Sequence, residues 1–425
     1  MRWRSRTVSR VAAPAAGLLV LLSGCGGPPT DRDASHAPLQ ALLDRQAEAV
    51  LTGDRAAYLA TVDPLADRYR AAQRTVFGNL ARLPLSQWSY RVTAVGDDAF
   101  PLPERGGGAR RIAVRAELSY RVTGYDTAPV RAEERLTLTE RQDRWYVSSD
   151  GDGTEQLWEQ GGMTVVRGER SLVLGVGRPE EELRALAADA DRAVPAAAAR
   201  WPRDWSRRVL VEAPASVEGM AALLGGDPAS YRGIAAVTTG EAGGSGRDAK
   251  PAERIVVNPR AYGVLGERGR RIVMTHETTH VATRRYTTAA TPMWLSEGFA
   301  DWVAYHGTGR PPALVAPRLT EAARRGELPR ELPADEDFGF AGDGGRLARA
   351  YEGGWLACRM VAERWGEEKL TELYLRTGRD GPPGDGDGGE ARKRALDAAL
   401  REVLGTDLAG FTASWRDHVR RELGG

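Results

Sequence analysis

The sequence predicts an α+β chain in two parts, and three features of it do so. Across residues 36–82 apolar positions recur at helical spacing, and from Trp88 to about 150 they alternate at strand spacing. From 171 onward short apolar runs alternate with helical stretches and then give way to helices. The 425 residues are enough to bury the cores of two domains.

The chain opens MRWRSRTVSRVAAPAAGLLVLLSGCGG, with Arg2, Arg4, Arg6 and Arg10 before an apolar run over 11–22. A membrane-spanning helix needs roughly 20 apolar residues, so this shorter run fits the core of a cleavable secretory signal over residues 1–24. Leu22-Ser23-Gly24-Cys25 resembles the lipobox of bacterial lipoproteins. That resemblance implies cleavage before Cys25, acylation of Cys25 and attachment to the extracytoplasmic face of the bacterial cell membrane. Loss of the leader removes four of 59 basic residues against 58 acidic ones. The remaining chain is slightly acidic, which argues against nucleic acid as a partner. Beyond Cys25 the only cysteine is Cys358, in the apolar run WLACRMV, so no internal disulfide framework is available and Cys358 is expected to pack in the core.

Residues 25–35 carry Gly, Pro and charge, the composition of a flexible tether. LQALLDRQAEAVLTGDRAAYLATV then reads as two amphipathic helices broken at Gly53-Asp54, with a third across 64–82. WSYRVTAVG, RRIAVRAELSYRVTGYD, VRAEERLTLTE and RWYVSSDG follow as half-buried antiparallel strands, the second with Ile112, Val114, Ala116, Leu118, Tyr120 and Val122 on one face. Helices followed by a curved antiparallel sheet resemble the NTF2-like cone fold, and that domain is expected over 36–160. It contains no catalytic constellation, which makes an accessory role the expectation.

The glycine-rich stretch 150–163 marks the boundary, and the second domain is expected over 165–425. Asp150 and Asp152 here, and GDGDGGE at 384–390, lack the regular oxygen ligands of a calcium loop and read as solvated turns. SLVLGVG, RRVLVEAP and ERIVVNP read as strands, with a helix over 179–200 between the first two. EAGGSGRDAKPAE reads as a surface loop and 377–391 as a low-complexity insert in an otherwise helical remainder.

A helix over 268–285 carries RIVMTHETTHVATRRY. On a helix, residues four apart share a face, so His276 and His280 can converge on one ion, with Glu277 beside the open position rather than on the metal. WLSEGFADW follows, placing Glu297 on a second helix after a turn at Pro292. Asp301, four residues further, shares its face and suits the carboxylate that receives a metal-bound histidine's other N–H.

HETTH followed by WLSEGFADW resembles the gluzincin branch of the zincin metallopeptidases, the group that includes thermolysin and the M1 aminopeptidases. The resemblance implies a zincin-like domain, mostly helical in its C-terminal part, holding one zinc ion on His276, His280 and Glu297. It also implies Glu277 as general base and Asp301 as the residue that orients a histidine. ARAYEGGWLACRM resembles the M1 segment written Y-E-x-G, implying Tyr351 as the hydrogen-bond donor to the oxyanion. His306 and His418 are weaker substitutes for that role. Two departures qualify the likeness: the spacing from His280 to Glu297 is shorter than in those enzymes, and no G-x-M-E-N segment is present to hold a free amine. Exopeptidase specificity is therefore not carried over.

The expected function is that of a lipid-anchored zinc metallopeptidase acting on a peptide or protein substrate. An extended peptide is expected to pair with a strand edge offered by ERIVVNP or by residues 234–238. Two alternatives share the same residues: a non-catalytic binding lipoprotein whose NTF2-like half captures a ligand, and a zinc hydrolase of a non-peptide bond.

Overall fold

The computed structural model describes residues 31–103, 108–151, 153, 155–239, 253–339, 344–379 and 388–424. The leader, Cys25, nearly all of the loop at 241–253 and the middle of the insert at 377–391 lie outside the described residues. The chain is mixed α/β, with two sheets and a helical C-terminal part. Among the described residues no helix is long and apolar enough to cross a membrane.

The first part begins with α1 (Asp31–Thr52), α2 (Arg55–Ala60) and α3 (Asp67–Leu80). The helix starts at Asp31, so the expected tether to residue 35 is too long by its last five residues. The break at Gly53-Asp54 works as the sequence suggests. Gly53 takes a left-handed φ of +70°, and the Asp54 carboxylate accepts the Ala57 N–H at 2.9 Å to cap α2.

Four antiparallel strands follow in spatial order, β1 (Leu85–Val95), β2 (Arg111–Val122), β3 (Val130–Arg141) and β4 (Arg144–Asp150). Along β2 the alternation is visible as burial of Val114, Ala116, Leu118, Tyr120 and Val122, with Ile112 half-buried. Val114 and Ala116 pack beneath Leu39, Leu42 and Leu43 of α1. Leu118, Tyr120 and Val122 join a cluster that runs on into the second sheet.

That second sheet is mixed, in the order β5-β6-β7-β9-β8, comprising β5 (Met163–Arg167), β6 (Ser171–Val176), β7 (Val209–Ala213), β8 (Ala236–Thr238) and β9 (Arg254–Val257). β5 was not anticipated, being five residues long between glycines at 161–162 and 168. β6 is parallel to β7 and β7 to β9, while β5 and β8 run antiparallel to their neighbours at the two edges. Hence ERIVVNP, which holds β9, is an interior strand, and of the two candidates the 234–238 region is the one at an edge of the described sheet.

α4 (Glu180–Arg200) makes the crossover from β6 to β7. Both strands are buried on both faces, which explains their unbroken apolar runs. One face, with Val173, Val211 and Ile255, packs on α4 and on α8 (Glu267–Thr283). On the other, Leu172, Leu174 and Leu210 meet Leu118, Tyr120 and Trp158 from the first part, and Val256 meets Met220 and Tyr231 of α5 (Val217–Leu224) and α6 (Pro228–Tyr231). The short α7 (Pro259–Gly263) leads from β9 to α8.

The remainder is helical: α9 (Met293–Tyr305), α10 (Pro312–Val315), α11 (Pro317–Arg324), α12 (Gly344–Trp365), α13 (Glu367–Arg379), α14 (Gly388–Leu404) and α15 (Leu408–Leu423). α13 and α14 extend into both ends of the insert expected at 377–391. Their core gathers Trp201, Phe299, Trp355, Tyr374, Phe411 and Trp415, and Cys358 is buried within it as a free thiol.

Candidate metal centre

α8 lies between the mixed sheet and α9, and its second half is almost wholly buried. His276 and His280 stand one turn apart on it, their ring planes 69° apart. After a 3-10 turn at Arg284–Tyr286 the chain reverses and enters α9 behind Pro292. The Asp335 carboxylate accepts the Met293 N–H at 2.9 Å, satisfying one orphan donor at the start of α9.

Glu297 of α9 then meets both histidines. Its Oε2 lies 3.3 Å from Nε2 of His276 and 3.4 Å from Nε2 of His280, and the two nitrogens are 3.0 Å apart. Zinc bonds of about 2.0–2.1 Å to three corners of a tetrahedron require ligand separations of about 3.3–3.4 Å. The three atoms therefore form a triangle of the size zinc takes, closed slightly along its His–His side. His276 Nδ1 is 2.8 Å from Asp301 Oδ1, a contact that fixes the ring with Nε2 turned into the triangle.

Electrostatics knit the four residues together. Burial disfavours the imidazolium of His276, yet the charge and hydrogen bond of Asp301, helped by Glu297, hold it well above its usual range. Burial likewise disfavours the Glu297 carboxylate, but His280 and His276 hold it well below the usual carboxylate range. A compact set of two imidazoles and a buried carboxylate, backed by a second carboxylate, is a donor set for a divalent ion.

Glu277 follows His276 on α8 and is buried, and it is not one of the three converging groups. Its Oε2 accepts a 2.7 Å hydrogen bond from the Thr238 hydroxyl, which also reaches the Glu277 carbonyl oxygen at 3.1 Å. Thr238 ends the edge strand β8 and is fully buried. The sequence reading passed over it, because the contact spans 39 residues and arises only when α8 docks on the sheet.

Tyr351 reaches the site from α12, its ring 6.2 Å from that of His276 and 5.3 Å from Phe338, which packs on it edge-on. Glycines make this approach possible. A Cβ on Gly354 would sit 2.7 Å from the Trp294 carbonyl oxygen, and one on Gly298 would collide with the Gly354 backbone. The backbones of α9 and α12 thus touch at the glycines of the EGFAD and YEGG segments, bringing Glu297 and Tyr351 to one place. The neighbouring Glu352 caps α11, its carboxylate accepting the N–H groups of Arg318 and Leu319 at 3.0 and 2.6 Å. Tyr305, one turn beyond Asp301, also borders the site. Burial raises its phenol pKa, and the charge of Asp301 adds to the effect.

The two substitute histidines lie elsewhere. His306 faces Glu367 and the ring of Trp302, and His418 belongs to a separate group with Glu363 and Glu422.

No protein-family model matches the chain, and no curated protein matches it.

Proposed function

We propose that the protein is a zinc metallopeptidase, with a zincin-like domain of gluzincin type behind an NTF2-like accessory domain, anchored outside the cell membrane through acylated Cys25. The observation that carries this reading is the His276–His280–Glu297 triangle, with sides of 3.0–3.4 Å. His276, His280 and Glu297 would hold one zinc ion, with Asp301 fixing the tautomer and orientation of His276. Zinc in such a setting lowers the pKa of a bound water to about 7 and polarises the carbonyl it faces.

The protein's own groups do the rest. Thr238 ties one oxygen of Glu277, leaving the other to take the proton from the attacking water and pass it to the departing amine. Tyr351 donates a hydrogen bond to the oxyanion that develops at the attacked carbonyl. β8 lies at one edge of the mixed sheet, and its last residue touches Glu277. An extended peptide paired along β8 would therefore bring its backbone to the catalytic carboxylate, which favours a peptide over a non-peptide substrate.

Metal removal and restoration tests the proposal. Stripping the ion with a chelator is expected to abolish peptide cleavage, and zinc to restore it. Glu297→Gln is expected to remain folded while losing both zinc and activity. Full cleavage by the metal-free chain, or wild-type protein that takes up no zinc, would overturn the assignment.

A further inference from the structure

A second group of potential ligands lies on the helical side of the molecule and plays no part in the site above. His418 and Glu422 stand four residues apart on one face of α15, and Glu363 faces them from α12. A ring nitrogen of His418 and one carboxylate oxygen from each glutamate lie within 4.8 Å of one another.

Three further observations point to an ion. First, His418 is 4% exposed, and its Nε2 is enclosed without a hydrogen-bond partner, a condition that buried imidazoles rarely tolerate. Second, Arg359 binds only one oxygen of each carboxylate, with its Nε 2.7 Å from Glu363 Oε1 and its Nη2 3.1 Å from Glu422 Oε2. Glu363 Oε2 and Glu422 Oε1 have no hydrogen bond among the described residues. Arg359 thus orients the pair as outer partners orient ligating carboxylates, while leaving one oxygen on each for a cation. Third, a cavity of about 260 Å³ adjoins Glu363 and His418, with Asp417, Arg364 and Arg421 on its wall.

We propose that Glu363, His418 and Glu422 form a second binding site for a first-row divalent ion such as zinc, tying the C-terminal helix α15 to α12. One imidazole and two carboxylates suit zinc better than magnesium or calcium, which favour all-oxygen shells. The site is a staple rather than a reaction centre: α12 carries Tyr351 three turns before Glu363. The inference does not rest on the peptidase reading.

The test counts zinc bound to the full chain, with cobalt absorption and the thermal midpoint as parallel readouts. Wild type is expected to bind two ions, the second raising the midpoint. His418→Gln and Glu363→Gln are each expected to lose the second ion or bind it at least tenfold more weakly, with unchanged circular dichroism. Glu363 is half-exposed, so its substitution covers the case in which the buried His418 variant fails to fold. His280→Gln is expected to lose only the first ion. Binding of a single ion, sensitive to His280→Gln and indifferent to Glu363→Gln, would overturn the second site and leave the zinc reading of the first intact. A single ion sensitive only to Glu363→Gln would do the reverse.

Discussion

At the scale of single residues, the reading depends on why Glu277 is held where it is. Glu277, buried and next in sequence to His276, needs a hydrogen-bond donor to restrain its carboxylate. The Thr238 hydroxyl supplies that restraint at 2.7 Å. Thr238→Val keeps the shape and removes the donor, so kcat is expected to fall by about tenfold to a hundredfold, in the range of a lost positioning contact. KM and zinc content are expected to stay near wild type. Steady-state kinetics beside metal analysis checks this, and an unchanged kcat would remove Thr238 from the mechanism. The ligands were legible in the sequence because helical periodicity alone places residues i and i+4 together, as with His276 and His280 or Glu297 and Asp301. Thr238 was not, since no local period links a strand end to a helix 39 residues on.

At the scale of elements, the crossing of α9 and α12 decides whether Glu297 and Tyr351 meet. Gly354→Ala would force a methyl to 2.7 Å from the Trp294 carbonyl oxygen, where backbone must move. Overpacking of this kind costs about 1–3 kcal/mol, and the separated helices would carry Tyr351 away from the ligands. A lower thermal midpoint together with a kcat loss larger than the loss of zinc is expected from melting curves and kinetics. Wild-type stability would show that the helices do not touch here. The helices over 179–200 and 268–285 were readable to within two residues, because each is long and amphipathic. β5 was not, because a strand of five residues carries too few alternations, and the choice between ERIVVNP and 234–238 as the edge stayed open. Which strand is an edge is a property of the sheet rather than of the strand.

At the scale of the whole molecule, the composition boundary at 150–163 is not a break in packing. Leu118, Tyr120 and Val122 on one side share a core with Met163, Leu172 and Leu174 on the other. A buried ion pair spans the same junction: the Arg254 guanidinium of β9 donates to both oxygens of Asp126 at 2.5 and 3.0 Å, with Glu212 4.0 Å away. Sequence patterning could not reveal it, since Asp126 and Arg254 each read locally as turn or strand-end charge.

Glu212 is the uncomfortable member. Burial, opposed by Arg254 and reinforced by Asp126, pushes its pKa from 4.5 up to about 7. The folded chain therefore binds this proton more tightly than the unfolded chain. Its contribution to stability is whole below about pH 4.5 and is lost as the pH rises through 7, an effect of about 3 kcal/mol. Glu212→Gln imitates the protonated form, so the wild-type chain is expected to lose stability relative to this variant between pH 5 and 7 in urea unfolding. Parallel profiles across that window would contradict the assignment.

The central claim concerns Glu277 and is tested most directly by incubating the wild-type chain and Glu277→Gln with a diverse peptide mixture and reading new termini by mass spectrometry. Zinc-dependent cuts by the wild type that vanish in a variant still holding its zinc are the predicted result. Their positions would also separate endopeptidase from exopeptidase action. Equal cleavage by the two proteins, or none by a folded and zinc-loaded wild type, would contradict the account.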